Sequence, residues 1–219
     1  MMPDPSLHTL WVERTARVAA LGTPSTAATL WIVLHGYGQL AGDFAAHFGG
    51  LVTPARAVVA PEALSRFYVD GLETHEKVGA SWMTRAAREH EITDYVAYLD
   101  RVVATLPDDD SSPSIRVLGF SQGAATASRW AVLGDTVIDR LVLWGGAPAH
   151  DLDLNTHAEL LRNMDLTVVA GTDDPYVPPE RRAALQQHLA AHEIPVSIQT
   201  FDGGHEMEDD MLRQIVSAG

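Results

Sequence analysis

The sequence predicts an α/β fold, a mostly parallel sheet with helices on both faces. Three observations predict it. Short apolar runs recur along the chain at residues 30–34, 57–60, 115–120, 141–144, 166–170 and 196–201, each ending at Gly, Pro or polar residues. Most of these runs are continuous rather than alternating, as strands buried on both faces are. Segments with apolar residues at helical spacing lie between them, and strands alternating with helices imply right-handed crossovers in a parallel sheet.

Taken in chain order, residues 8–14 and 16–21 alternate weakly and read as edge strands, paired as a hairpin, ahead of the parallel set. The run 30–34 is the first buried strand and opens into His35-Gly36-Tyr37-Gly38. From 91 to 106, Ile92, Tyr95, Val96, Leu99, Val102, Val103 and Leu106 share one helical face, and Pro107 ends the pattern. The stretch Pro107 to Pro113, with three aspartates and two serines, reads as a solvated loop, because its spacing is not that of a calcium loop. The strand 115–120 leads into a helix over 122–133. Strands 141–144 and 166–170 follow. Pro179-Glu180 opens a helix that turns Leu185 and Leu189 inward. After the strand 196–201, Met207, Met211, Leu212, Ile215 and Val216 mark a last helix docking the C-terminus. One domain over 1–219 accommodates all of this.

Apolar residues make up 46% of the 219, enough for a sizeable core. The formal net charge of −14 argues against nucleic acid and anionic membranes, which need clustered Lys and Arg. Cysteine is absent, which removes disulfides, thiolate nucleophiles and zinc-thiolate sites and is compatible with a cytoplasmic protein. The N-terminal residues lack the basic-then-apolar pattern of a signal peptide, and no apolar run approaches the roughly 20 residues that span a bilayer.

The chemistry centres on Gly119-Phe120-Ser121-Gln122-Gly123. A Gly-x-Ser-x-Gly turn between strand and helix presents the hydroxyl at the sheet's carboxyl edge, where α/β proteins place their sites. Alone the motif is weak, and its bland reading is an ordinary glycine-flanked turn. A serine nucleophile also needs a base, and the base an orienting acid, in the chain order serine, acid, histidine. Downstream, residues 166–170 open into Gly171-Thr172-Asp173-Asp174-Pro175, and 196–201 open into Asp202-Gly203-Gly204-His205. Three strand-end loops on one edge are far more specific than the serine alone. Asp173 and Asp174 are adjacent, so only one can face the histidine, while Asp202 reads as a turn former.

The other histidines have blander readings. His188 and His192, four apart on a helix, lack a third metal ligand. His47, His75, His90 and His157 sit in polar surroundings, and His150 lies too close after Ser121 to be the base. His35 shapes its loop. The oxyanion donors expected are the backbone N–H groups of Gln122 and Tyr37.

HGYGQLAGDF, GFSQGAAT, GTDDPYVP and GGHEM, in this order, resemble the phospholipase/carboxylesterase family of α/β-hydrolases, which includes acyl-protein thioesterases and small bacterial carboxylesterases. The resemblance runs from about Leu30 to the C-terminus. It implies an α/β-hydrolase fold without a large lid domain, Ser121 as nucleophile, His205 as base and no metal or cofactor. It also implies Asp174 as the acid, because the family's acid directly precedes the Pro-x-Val-Pro segment, with Asp173 in reserve. Residues 63–83, with Phe67, Tyr68, Trp82 and Met83, fall where that family builds a pocket wall, although core packing explains these aromatics equally well. Trp144 stands where the family often has a small residue, and an indole there narrows the acyl or alcohol site; together with the residues of 63–83 it suggests a short acyl group.

The function expected is therefore a serine carboxylesterase acting on a small-molecule ester. Thioesterase or lysophospholipase activity would use the same machinery. A non-catalytic ligand-binding module is the reading of another class. The sequence leaves the oligomeric state open, and a homodimer is compatible with it.

Overall fold

The computed structural model describes residues 6–71, 74–106 and 113–217. Its frame is a seven-stranded sheet. The strands are β1 (Val18–Leu21), β2 (Thr29–Leu34), β3 (Arg56–Pro61), β6 (Ser114–Phe120), β7 (Arg140–Trp144), β8 (Asp165–Gly171) and β9 (Ser197–Phe201), in the spatial order β1-β3-β2-β6-β7-β8-β9. Only the β1–β3 pair is antiparallel; the others are parallel. A separate antiparallel ribbon joins β4 (Ser65–Tyr68) to β5 (Val78–Ser81).

The continuous apolar runs have a direct cause. Along β2, Leu30, Ile32 and Leu34 enter one core while Trp31 and Val33 enter the other. The first core lies under α2 (Arg88–Ala104), α3 (Gln122–Leu133), α4 (Leu154–Arg162) and α5 (Pro179–Ala191), through Leu99, Trp130, Leu161 and Leu189. The second lies under α1 (Ala41–Ala46) and α6 (Asp209–Ser217), through Phe44, Leu212 and Ile215. Strand alternation sends neighbours to opposite faces, so a sheet covered on both sides needs apolar residues at every position.

Several expectations change. Residues 8–14 form no strand, and the N-terminal hairpin is absent among the described residues. Only β1 pairs, along the free edge of β3; Leu7, Leu10, Trp11 and Val12 stay exposed. Weak alternation cannot hold a strand that has no ladder partner. Helix α2 begins at Arg88, three residues ahead of the periodic pattern, and ends at Ala104. The loop from Pro107 onward lies outside the described residues as far as Ser112. The β4–β5 ribbon and α4 were not anticipated. Helix α4 starts at a cap, where the Asp153 carboxylate accepts from the Asn155 N–H at 3.0 Å and from the Thr156 hydroxyl at 2.7 Å.

Candidate active site

Strand β6 passes into α3 through a single residue, Ser121, at φ 55° and ψ −115°. This backbone conformation is strained for a residue with a Cβ, and it persists because its surroundings fix it. The Ser121 N–H donates to the Trp144 carbonyl at the end of β7, 2.8 Å away. On either side there is no room for a side chain. A methyl group on Gly119 would lie 2.2 Å from the Gly123 carbonyl oxygen, and one on Gly123 would lie 2.2 Å from that of Leu34. The two glycines let helix and strand close on each other, and the turn pushes the hydroxyl outward.

The loops after β8 and β9 reach the same place. The Ser121 Oγ lies 2.9 Å from His205 Nε2, and His205 Nδ1 lies 2.8 Å from Asp174 Oδ2. The carboxylate can only accept, so Nδ1 carries the proton and Nε2 is left to accept from the serine hydroxyl. Asp174 is buried, and its other oxygen accepts from the Tyr176 N–H at 2.8 Å. Asp173 is exposed and its N–H is committed to the Gly203 carbonyl. The two aspartates left open by the residues alone are thus placed differently, with Asp174 against the imidazole. Arg182 braces the acidic turn by donating to the carbonyls of Gly171 and Val177.

Two aromatic rings pack against the imidazole. Phe120 stacks on it at 5.0 Å between centroids, and Tyr176 covers it at 4.6 Å. Gly145, at φ +59°, passes so close that a methyl group there would sit 2.9 Å from His205 Cε1.

The loop after β2, which carries Tyr37, starts against the first turn of α3, where a methyl group on Gly123 would lie 2.7 Å from the His35 carbonyl oxygen. His35 itself is fully buried. Its Nδ1–H donates to the Gly36 carbonyl at 2.7 Å and its Nε2 accepts from the Ala63 N–H at 3.1 Å. Burial pushes the His35 imidazole below its ordinary pKa, against smaller upward pulls from the Gly36 carbonyl and the Glu62 carboxylate. Both ring nitrogens are used in the neutral form, so His35 shapes the loop. At the start of α3 the Gln122 N–H is one of the donors that a helix cannot satisfy within itself.

The sequence matches the serine hydrolase (FSH1) family over residues 28–207, most of the chain. The chain belongs to the FSH1 serine hydrolase family. Solved structures carry the same fold. The acyl-protein thioesterase 2 of Zea mays aligns at a TM-score of 0.71 and 17% identity, over 93% of this chain and 97% of that one. A carboxylesterase of Mesorhizobium loti aligns at 0.69 and 19% identity, over 93% and 95%. A phospholipase/carboxylesterase of Dyadobacter fermentans aligns at 0.65 and 18%, over 95% and 98%. No curated protein matches the sequence significantly. The α/β-hydrolase expected from the motifs is the fold observed.

In this serine hydrolase the expected pocket wall divides. Phe67 is half-buried and packs on the ring of Tyr37, 5.0 Å between centroids. Tyr68 is exposed and leans on His75. Trp82 is buried, and its indole N–H donates to the His35 carbonyl at 2.9 Å. Met83 is half-buried against the core. Trp144 corrects the expectation most sharply. It is fully buried, packs on Phe201, and donates its indole N–H to the Glu206 carbonyl at 2.8 Å. Strand alternation turns it into the core under α1 and α6, where it fastens the His205 loop rather than narrowing a pocket.

His47, His75, His90 and His150 are exposed and His157 is half-buried. His188 and His192 lie 5.0 Å apart, and His192 Nδ1 is spent on the His188 carbonyl. Among the described residues no group of three or more His, Asp or Glu side chains is placed to hold a metal ion. Tyr176 was missed by the sequence reading, since nothing in its local pattern tells that it covers the imidazole.

Proposed function

We propose that this serine hydrolase cleaves carboxylic esters through an acyl-enzyme. The observation that carries this reading is the pair of contacts made by His205, 2.9 Å to Ser121 Oγ and 2.8 Å to Asp174 Oδ2. Ser121 Oγ attacks the ester carbonyl carbon while His205 Nε2 takes the hydroxyl proton. Asp174 holds the tautomer and stabilises the imidazolium. The Tyr37 and Gln122 N–H groups donate to the oxyanion. The tetrahedral intermediate collapses, the C–O bond to the alcohol breaks, and His205 returns the proton to the leaving oxygen. Water, deprotonated by His205, then attacks the acyl carbon and releases the acid with Ser121 restored. No step calls for a metal or cofactor. A cytoplasmic placement, with which the lack of cysteine is compatible, goes with this reading.

With Trp144 in the core, the short-acyl preference loses one of the residues that motivated it, and chain length becomes a matter for substrates of graded length. A thioester reading is favoured by the likeness to the Zea mays acyl-protein thioesterase. It is tested by matched esters and thioesters. A binding module without activity would have no need of the acid–imidazole–hydroxyl chain.

The test is rapid-mixing hydrolysis of p-nitrophenyl esters. The expected result is a burst of nitrophenol equal to the enzyme concentration, abolished in Ser121→Ala, with kcat lowered on the order of 10⁴-fold or more. Parental rates in Ser121→Ala would refute the mechanism.

A further inference from the structure

We propose that the side chain of Gln122, acting through the strap that continues from β5 to Met83, is a positioning residue that aligns the two oxyanion donors. The inference rests on the reading above, in which the N–H groups of Tyr37 and Gln122 receive the oxyanion. These donors belong to loops far apart in sequence, and something must hold them in register. An oxyanion hole works only if both N–H groups aim at one point, about 3 Å away, before charge develops there.

The strap supplies the link. Its front end pairs with the Tyr37 loop. The Gly38 N–H donates to the Ala80 carbonyl at 2.9 Å, and the Ala80 N–H donates to the Gln39 carbonyl at 3.1 Å. The two backbones approach so closely that a methyl group on Gly79 would lie 2.3 Å from the Gly38 carbonyl oxygen. Its rear end is clamped by Gln122. The amide oxygen of Gln122 accepts from the Trp82 N–H at 3.0 Å, and its amide nitrogen donates to the Ser81 hydroxyl at 3.1 Å and the Met83 carbonyl at 2.9 Å. Trp82 closes the circuit, because its indole N–H returns to the His35 carbonyl, the residue two before Tyr37. Gly36 is pinned in turn by the Gln39 side chain, which accepts its N–H at 2.7 Å.

One amide side chain thus uses both its ends to tie the first residue of the nucleophile helix to the strap that braces the loop carrying the other donor. Ser81 and Trp82 are buried, so these bonds are shielded from water and their loss is not made good by solvent. A side chain that only filled space would not need a donor and an acceptor, and a methionine of similar length would serve as well.

The experiment compares Gln122→Met, Trp82→Phe and the double variant, with kcat expressed per active site titrated by the nitrophenol burst. Gln122→Met is expected to lower kcat about 10- to 100-fold with KM within about two-fold, since misplacement of a transition-state donor leaves ground-state binding intact. Trp82→Phe, which loses the bond to His35 together with part of a buried ring and leaves the Gln122 bonds to the strap backbone in place, is expected to lower kcat about 3- to 10-fold. The double variant should lose less than the product of the two, because both act through one strap. Affinity for a trifluoromethyl ketone, whose adduct places an oxyanion in the same position, should fall in step with kcat. Gln122→Met with kcat within two-fold of the parent, or with its loss confined to KM, would overturn the proposal. A parent that hydrolyses no ester and shows no burst would instead defeat the reading of the site itself.

Discussion

Replacing Asp174 by Asn keeps the side chain's size, but with the amide oxygen held by the Tyr176 N–H the amide NH2 faces His205 Nδ1, which must then accept rather than donate. The tautomer left at His205 then has its proton on the wrong nitrogen, and kcat should fall on the order of 10³- to 10⁴-fold. Asp173→Asn alters an exposed neighbour and should stay within about two-fold of the parent, as read from kcat/KM on the same ester. Equal losses in both would contradict the assignment of the acid. His35 offers a second prediction at this scale. Burial lowers its folded-state pKa below the ordinary value of about 6.5. Below that pH the unfolded chain takes up a proton that the folded chain refuses. The contribution of neutral His35 to stability is therefore complete above about pH 6.5 and is lost as pH falls from there toward the lowered value. Urea midpoints followed down that window should decline, and the decline should be shallower in His35→Gln. An unchanged slope would show that other groups set it.

At the scale of elements, Asp100 holds two helices and a loop together. From α2 it accepts from the Trp130 indole of α3 at 2.8 Å. It also accepts from the Asp135 and Thr136 N–H groups and from the Thr136 hydroxyl just past the end of α3. Asp100→Ala leaves these donors without their acceptor, and a cost of roughly 1–3 kcal/mol is expected. For a chain of this size each kcal/mol lowers Tm by about 2–4 °C, so calorimetry should detect it while kcat stays near the parent's. A Tm within 1 °C of the parent would mean that water replaces the carboxylate at roughly no net cost. Helices α2 and α5 were legible beforehand because their signals are local: a periodic apolar face and a proline in the first turn. The β4–β5 ribbon was not. Ser65 to Tyr68 alternates only weakly, and its partner strand lies beyond a loop whose length no local pattern sets. The same weakness misled the reading of residues 8–14, where alternation exists and no ladder does.

Among the described residues a seven-stranded sheet divides two cores, and on that basis we propose a single folding unit over the chain. Trp130 reports on the core under α2 and α3, while Trp31 and Trp144 report on the core under α1 and α6. Urea unfolding followed by tryptophan fluorescence should give one transition, coincident with the loss of esterase activity. Two separated transitions would mean that the cores unfold independently. What the sequence determined by itself was everything carried by short-range pattern. Continuous apolar runs marked buried strands. Gly-x-Ser-x-Gly marked the turn, and the order serine, aspartate, histidine marked the loops that meet at one edge. What only the tertiary structure decided was how side chains from distant segments face one another. It buried Asp174 and exposed Asp173, turned Trp144 into the core, laid Tyr176 over the imidazole and clamped the strap to Gln122. The reason is physical: backbone conformation follows from neighbours in the chain, whereas a side chain's partners follow from which segments pack against it.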